Sequence, residues 1–534
     1  MMRLMGVQTA IIETIPSSSA AHDRFRQEEK AILTRLQNPA VRVSFQKITF
    51  TSKKVKDLVS IQKLCDEDFL GLAVIANIEF PGVGVRTYVF ESVVREVGIQ
   101  PSKENAEIIG KLPWVAYLHV KRKFKCSVSH RKKPYEILGT FFCQQNTITT
   151  VCAHACTAMM LNNCRDSNVL VTCEDINQLL GIDHKNRMQE VPELFGDNSC
   201  ATHEGLYPKE ISRVLREYGF RPYQLDFSGS KRRFYREFIY SFIESGFPAL
   251  LSFNSLNNEG EEAAHVVAVV GHSLNRHSWF PTGYASYAKQ IRKEKPFISS
   301  LNWVDDFIVH DDNFGMQLCL PAHSFRPEDY PDPGPAFTPF SALGIFPEAS
   351  NIKLSGTQAE IFAWDALIAM FESSEWEKSG ICDNYYVDHL RPRITGEKGT
   401  SRTAVIRTSQ LPAEHYLEHL KQPDNYGNVY NDKDIELIRA SIGKQTNIWL
   451  SEVTESDLYV GNQAKVIDIV INPQFDQNAE DPKLPILLIR LPHFLVFMDS
   501  EGEDYRFKIR EIKGIKGHMP LSELPTEIKV TSLL

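Results

Sequence analysis

The chain has 534 residues, 43% of them hydrophobic and 24% charged, ordinary proportions for globular protein but too many residues for one ordinary domain, so two or three are expected. A formal net charge of -8 argues against a chain built mainly to bind nucleic acid. No apolar run approaches the roughly 18 residues of a membrane-crossing helix, the first residues lack a sustained signal-peptide core, and ten cysteines are too sparse for a disulfide scaffold, so the expectation is a cytoplasmic protein without membrane contact.

In chain order, residues 22–38 read as a short charged helix. The runs VRVSFQKITF, DFLGLAVIANIEF, VRTYVFESVV and PWVAYLHVKRKF are strand-like and separated by turn residues, which makes 1–135 a β-rich N-terminal domain. Within it, Lys121 to Lys133 carries seven Lys or Arg residues; the run reads as a solvated strand and loop, with an acidic partner or nucleic-acid phosphates as the alternative.

The next domain, 136–320, opens with FFCQQNTITTVCAHACTAMMLNN, Phe141 to Asn163. Val151, Ala155, Ala158 and Met159 fall on one face of a helix that Thr149 or Thr150 is placed to cap. Cys152 then lies in the first turn, where unpaired backbone N–H groups and the positive end of the helix dipole favour a thiolate. CEDINQLLG and KEISRVLREYG read as two further helices, each closed by a glycine. From Phe247 the periodicity changes: PALLSFN and HVVAVVGH form an antiparallel pair around a polar loop, with His265 at the start of the second strand. The long connection from Asn275 to Asp305 is either a substrate wall or an inert insertion. FIVH then leads directly into Asp311 and Asp312.

Seven prolines between Pro321 and Pro347 mark 321–355 as a linker without regular helix or central strand. TQAEIFAWDALIAMF has the stripe of an amphipathic helix and begins a C-terminal α+β domain, 356–534, whose strand-like runs are TAVIRTS, NIWLSEV, KVIDIVI and LPILLIRLPHFLVFM.

A cysteine at a helix start, a histidine on a later strand and a carboxylate at the end of a neighbouring strand occur here in the order of a papain-like thiol hydrolase. Residues from about 140 to 320 resemble the C39-like branch of papain-like cysteine peptidases, with CAHACTAMML at Cys152, LLGIDHK at Leu179, EGLYPKEISRVLREYGF at Glu204 and FIESGFPALLSFN ahead of the histidine strand. The sequence departs from the family pattern at Ala153, where glycine is usual, at Asp312, where proline often stands, and at Gln145, one residue farther from the cysteine than usual.

The resemblance implies an α+β chain in which a papain-like domain, helices on an antiparallel sheet, is flanked by the β-rich and α+β domains. It implies Cys152 as nucleophile, His265 as base, Asp311 as orienting acid with Asp312 as the alternative, and Gln145 in the oxyanion site with Gln144 as the alternative. The activity implied is cleavage of a peptide or isopeptide bond in a polypeptide substrate, with no metal or organic cofactor required. A transglutaminase-like acyltransferase would use the same triad, and the flanking domains are expected to meet protein partners. Two other classes stay open. Cys143, Cys152, His154, Cys156, Cys164 and Cys173 are soft ligands in one stretch and would suit a zinc-binding module, although paired C-x-x-C knuckles are missing; an inactive papain-like scaffold would be a binding module. Taken singly, Cys156, Cys164 and Cys173 read as small buried hydrophobes, and His272, His277 and His310 as satisfied strand histidines.

Overall fold

The computed structural model describes residues 6–15, 23–95, 114–129, 131–182, 205–227, 235–256, 262–275, 297–322, 337–378, 391–392, 394–395, 404–423, 427–455, 465–476, 485–499, 506–512 and 527–528. Three mixed or antiparallel sheets with interleaved helices make the chain α+β.

Strands β1 (Thr9–Ile15), β2 (Arg42–Thr51), β3 (Phe69–Phe80), β4 (Gly84–Arg95), β6 (Arg122–Cys126) and β7 (Tyr135–Phe142) form a six-stranded sheet in the order β1-β2-β3-β4-β7-β6. The helix Asp23–Leu36 lies against it, burying Phe25, Glu28, Ala31 and Ile32, a spacing of three and four residues that puts one face inward. β7 runs straight from this sheet into the segment that carries Cys152. The run PWVAYLHVKRKF does not make one strand. It splits into β5 (Trp114–Leu118), which pairs with the later strand β10 (Glu262–Asn275), and β6, which pairs with β7.

The second sheet follows the order β13-β12-β10-β9-β14-β8, with β8 (Phe220–Asp226), β9 (Ala249–Leu256), β12 (Asp306–Asp311), β13 (Gly315–Pro321) and β14 (Phe337–Pro347). β9 and β10 form the antiparallel pair read from the sequence, with His265 opposite Phe253. Alternation along β10 supplies two cores. Val266 and Ala268 join the core that holds the Cys152–Cys164 helix, while Val267 and Val269 join the core on the other side.

The expectation for 321–355 is overturned by β14, an inner strand between β8 and β9. Its prolines occupy places where no ladder donor is lost: Pro339 borders a register shift before Ser341, and Pro347 is the last paired residue.

The third sheet contains β11 (Ile298–Ser299), β15 (Ala404–Pro412), β16 (Asn447–Glu455), β17 (Lys465–Ile471), β18 (Ile486–Leu491), β19 (Phe494–Asp499) and β20 (Arg506–Glu511) in that order. The helix Gly356–Phe371, capped by Ser355, starts this part of the chain as expected. It shares one continuous apolar core with the Tyr235–Glu244 helix and the second and third sheets. Among the described residues no helix is long and apolar enough to cross a membrane. Residues 276–296 and His277 lie outside the described residues.

Candidate active site

Cys152 is the first residue of the helix Cys152–Cys164, and every residue from Ala153 to Asn163 is buried. The helix is thus enclosed on all sides and not amphipathic, because β7, β10 and two flanking helices cover it. Its polar residues are spent on holding backbone. Asn163 accepts from the Phe141 N–H at 2.7 Å and donates to the Phe141 carbonyl at 2.9 Å, and Asn162 does the same for Val171. The Cys156 thiol, one turn beyond Cys152, donates to the Val266 carbonyl at 3.2 Å and so ties the helix to the residue after His265.

Neither Thr149 nor Thr150 caps this helix. The N-cap is Val151, whose N–H meets Nδ1 of His154 at 3.3 Å. The threonines are instead organised by Asn146, which is fully buried. Its Oδ1 accepts from the N–H groups of Ile148, Thr149 and Thr150 at 2.8, 2.8 and 3.1 Å. Its Nδ2 donates to Thr149 Oγ1 and to Glu28 Oε1, at 2.8 and 2.7 Å. Glu28, on the N-terminal helix, also accepts from the Tyr88 hydroxyl at 2.7 Å. The N-terminal part of the chain therefore fixes the loop that delivers Cys152. Asn146→Ala leaves three buried N–H groups without their acceptor, and we expect a loss of about 2–5 kcal/mol in urea unfolding together with slower alkylation of Cys152. An Asn followed by a Thr-rich stretch is a recognisable Asx-turn signal, whereas Glu28 reads as one more charge on a charged helix.

His265 and Asp311 are brought together: Nε2 of the ring lies 3.1 Å from Oδ2 of Asp311, with the side chains 13% and 10% exposed. Phe253 stands edge-on to the ring at 5.6 Å. Burial works against a charged imidazole here, but the hydrogen bond to Asp311 and the nearby Cys152 outweigh it and raise the His265 pKa to about 10. Asp311 is held in turn by the N–H groups of Asn313 and Phe314, at 2.9 and 3.2 Å, on its other oxygen. Although burial raises the Asp311 pKa, His265 and these N–H groups lower it below the usual carboxylate value.

The structure separates the two aspartates, although both are buried beside His265. The Asp312 side chain is 0% exposed and its Oδ1 lies 4.0 Å from His265 Nε2. Neither oxygen finds a hydrogen-bond partner among the described residues. Burial, aided by the charge of Asp311 and opposed by that of His265, raises its pKa to about 7.

The glutamines separate as well. Gln144 exchanges hydrogen bonds with Val89, its N–H to the carbonyl and its Oε1 to the N–H, both at 2.8 Å, and so extends the edge of β4. Gln145 reaches the turn after Asp311, where Nε2 donates to Asn313 Oδ1 at 2.8 Å. Burial pushes up the thiols of Cys156, Cys164 and Cys173, in keeping with small buried groups; for Cys173 a hydrogen bond with Cys143 contributes more than burial. His310 is a buried neutral ring, its pKa brought down to about 4 by burial, and it packs edge-on to Phe142. Among the described residues, the six soft ligands of the Cys143–Cys173 stretch do not form a three-ligand cluster.

Residues 137–301 match the model of the Peptidase_C39 like family. The match spans under a third of the chain and includes Cys152 and His265; it ends before Asp311. No curated protein matches the sequence.

Proposed function

We propose, from the premise that residues 137–301 belong to the Peptidase_C39 like family, that this chain is a papain-like cysteine hydrolase that cleaves an amide bond in a polypeptide. The observation that carries the reading is the His265 ring, hydrogen-bonded to Asp311 at 3.1 Å and near enough to Cys152 for the sulfur to raise the pKa of the ring.

In this reading the Cys152 proton passes to His265 Nδ1, and the sulfur attacks the carbonyl carbon of a peptide or isopeptide bond. Electrons move onto the carbonyl oxygen, where the Cys152 N–H at the helix start and the Gln145 amide donate to the oxyanion. Nε2 of a glutamine carries two hydrogens, so its bond to Asn313 leaves a second for this purpose. Collapse breaks the C–N bond while the imidazolium gives its proton to the leaving amine, forming a thioester on Cys152. Water then attacks the thioester, with His265 as base, and returns the free thiol. Asp311 keeps the Nε2–H oriented and supports the imidazolium without changing its own protonation.

A mixed library of peptides and lysine isopeptides, incubated with the full chain and read by mass spectrometry, tests this directly. New amine and carboxylate ends are expected with the wild-type chain and none with Cys152→Ala. Addition of a primary amine separates hydrolysis from transfer: amide adducts in place of carboxylates would assign an acyltransferase. No turnover, with no acyl adduct on Cys152, would leave the scaffold a binding module.

A further inference from the structure

Away from the thiol site, a second group of side chains converges where the second and third sheets meet. His119 follows β5, His272 lies on β10, and Glu244 is the last residue of the Tyr235–Glu244 helix. β10 has a register shift between Val269 and Gly271, and Gly271 pairs with Leu118, the residue before His119. β5 pairs so closely there that a Cβ on Gly271 would lie 2.1 Å from the Tyr117 carbonyl oxygen, and the two imidazole rings sit 4.3 Å apart.

Each ring has the same arrangement. Nδ1 of His272 meets the Ser273 carbonyl at 2.7 Å, and Nδ1 of His119 meets the Tyr117 carbonyl at 3.3 Å. A carbonyl on Nδ1 fixes the proton there and turns the Nε2 lone pair inward, which is how metal-ligating histidines are held. Both Nε2 atoms point at one oxygen, Oε1 of Glu244, at 2.7 Å from His272 and 3.7 Å from His119. A nitrogen lone pair does not face a carboxylate oxygen at 2.7 Å without a positive centre between them. A proton on His272 would serve that pair alone. It would leave Nε2 of His119, on a side chain 4% exposed, without any hydrogen-bond partner among the described residues. One cation between the three atoms satisfies all of them.

We propose that His119, Glu244 and His272 form a binding site for a divalent cation of the zinc class, which ties β10 and the end of β5 to the helix Tyr235–Glu244. The three donor atoms lie within 4.8 Å of one another. A tetrahedral ion with bonds of about 2.0–2.2 Å separates its donors by roughly 3.3–3.6 Å, between the two distances observed. Two imidazoles and one carboxylate favour zinc over calcium or magnesium, which prefer oxygen. The second carboxylate oxygen is taken by the Arg407 guanidinium from β15, with Nε at 2.7 Å, so Glu244 would bind the ion through Oε1 alone. Arg407 also lies 3.9 Å from the buried Glu452 on β16, and the two glutamates against one arginine leave the cluster net negative with neutral rings.

The test uses the full chain carrying Cys152→Ala and His265→Ala, so that the thiol site, where His265, Asp311 and Asp312 also lie close enough together to share an ion, keeps neither its sulfur nor its imidazole and its own function is not in question. After exposure to zinc sulfate and desalting, elemental analysis is expected to find roughly one zinc per chain, and His119→Phe should lower that by more than about tenfold. Zinc well below stoichiometric in the parent, or equal zinc in a folded His119→Phe variant, overturns the site. Should that variant fail to fold, the cobalt-loaded parent decides. Tetrahedral d–d absorption without a thiolate-to-cobalt charge-transfer band supports the site; a charge-transfer band, or no d–d absorption, overturns it.

Discussion

Asp311→Asn is expected to lower kcat/KM on any amide substrate of this chain by about 10²- to 10⁴-fold while leaving the fold intact. The carboxylate is 3.1 Å from Nε2 of His265, and its other oxygen is anchored by two backbone N–H groups. An asparagine keeps an oxygen in this place but removes the negative charge that supports the imidazolium, so the His265 pKa should fall. Asp312→Asn is expected to change turnover no more than a few-fold, because the Asp312 carboxyl is 4.0 Å from the ring.

Its effect belongs to stability. The folded chain holds the Asp312 proton up to about pH 7, whereas the unfolded chain releases it near 3.8. Folding stability therefore falls as pH rises from about 4 through about 7, by an amount of order 2–4 kcal/mol, and Asp312→Asn should remove this slope. Unfolding free energies of both proteins at pH 5 and pH 8 check it. A silent Asp311→Asn beside a crippled Asp312→Asn would transfer the acid role by one residue, and two silent variants would remove the acid from the mechanism.

Much of the domain that carries the candidate site was legible because its signals are local. A strand-like run ending at Asp311, a β-branched run beginning at His265 and a helix beginning at Cys152 each follow from periodicity, and the β9–β10 hairpin follows from two apolar runs around a polar loop. Non-local pairing was not legible. Nothing in PWVAYLHVKRKF says that five residues will add to β10 and the next strand to β7. The prolines around β14 argued against a strand, yet a bulge and a strand end admit them. Asp312 shows the limit of alternation at a turn: two adjacent carboxylates are both buried beside one ring, since the chain turns at Asp312 directly after β12 ends. The support from Glu28 to Asn146 joins residues 118 positions apart and has no local signature.

The central claim, that Cys152 and His265 act as a nucleophilic pair, is tested most directly by the rate at which each cysteine is alkylated by iodoacetamide at pH 6. The other thiols with shifted values are poor competitors. Burial pushes Cys126 to about 12 and Cys319 to about 11, and Cys156, Cys164 and Cys173 are also raised. An ordinary exposed thiol, with a pKa of about 8.5, is under about 1% thiolate at this pH. His265 stays protonated well above pH 6 and Cys152 is among the groups that raise its pKa, so the ring is expected to provide the charge that supports a thiolate. Mass spectrometry of the ten cysteines should find Cys152 modified at least about tenfold faster than any other, with the advantage lost in His265→Ala. Equal rates across the ten, or an advantage at Cys152 that survives His265→Ala, would contradict the account.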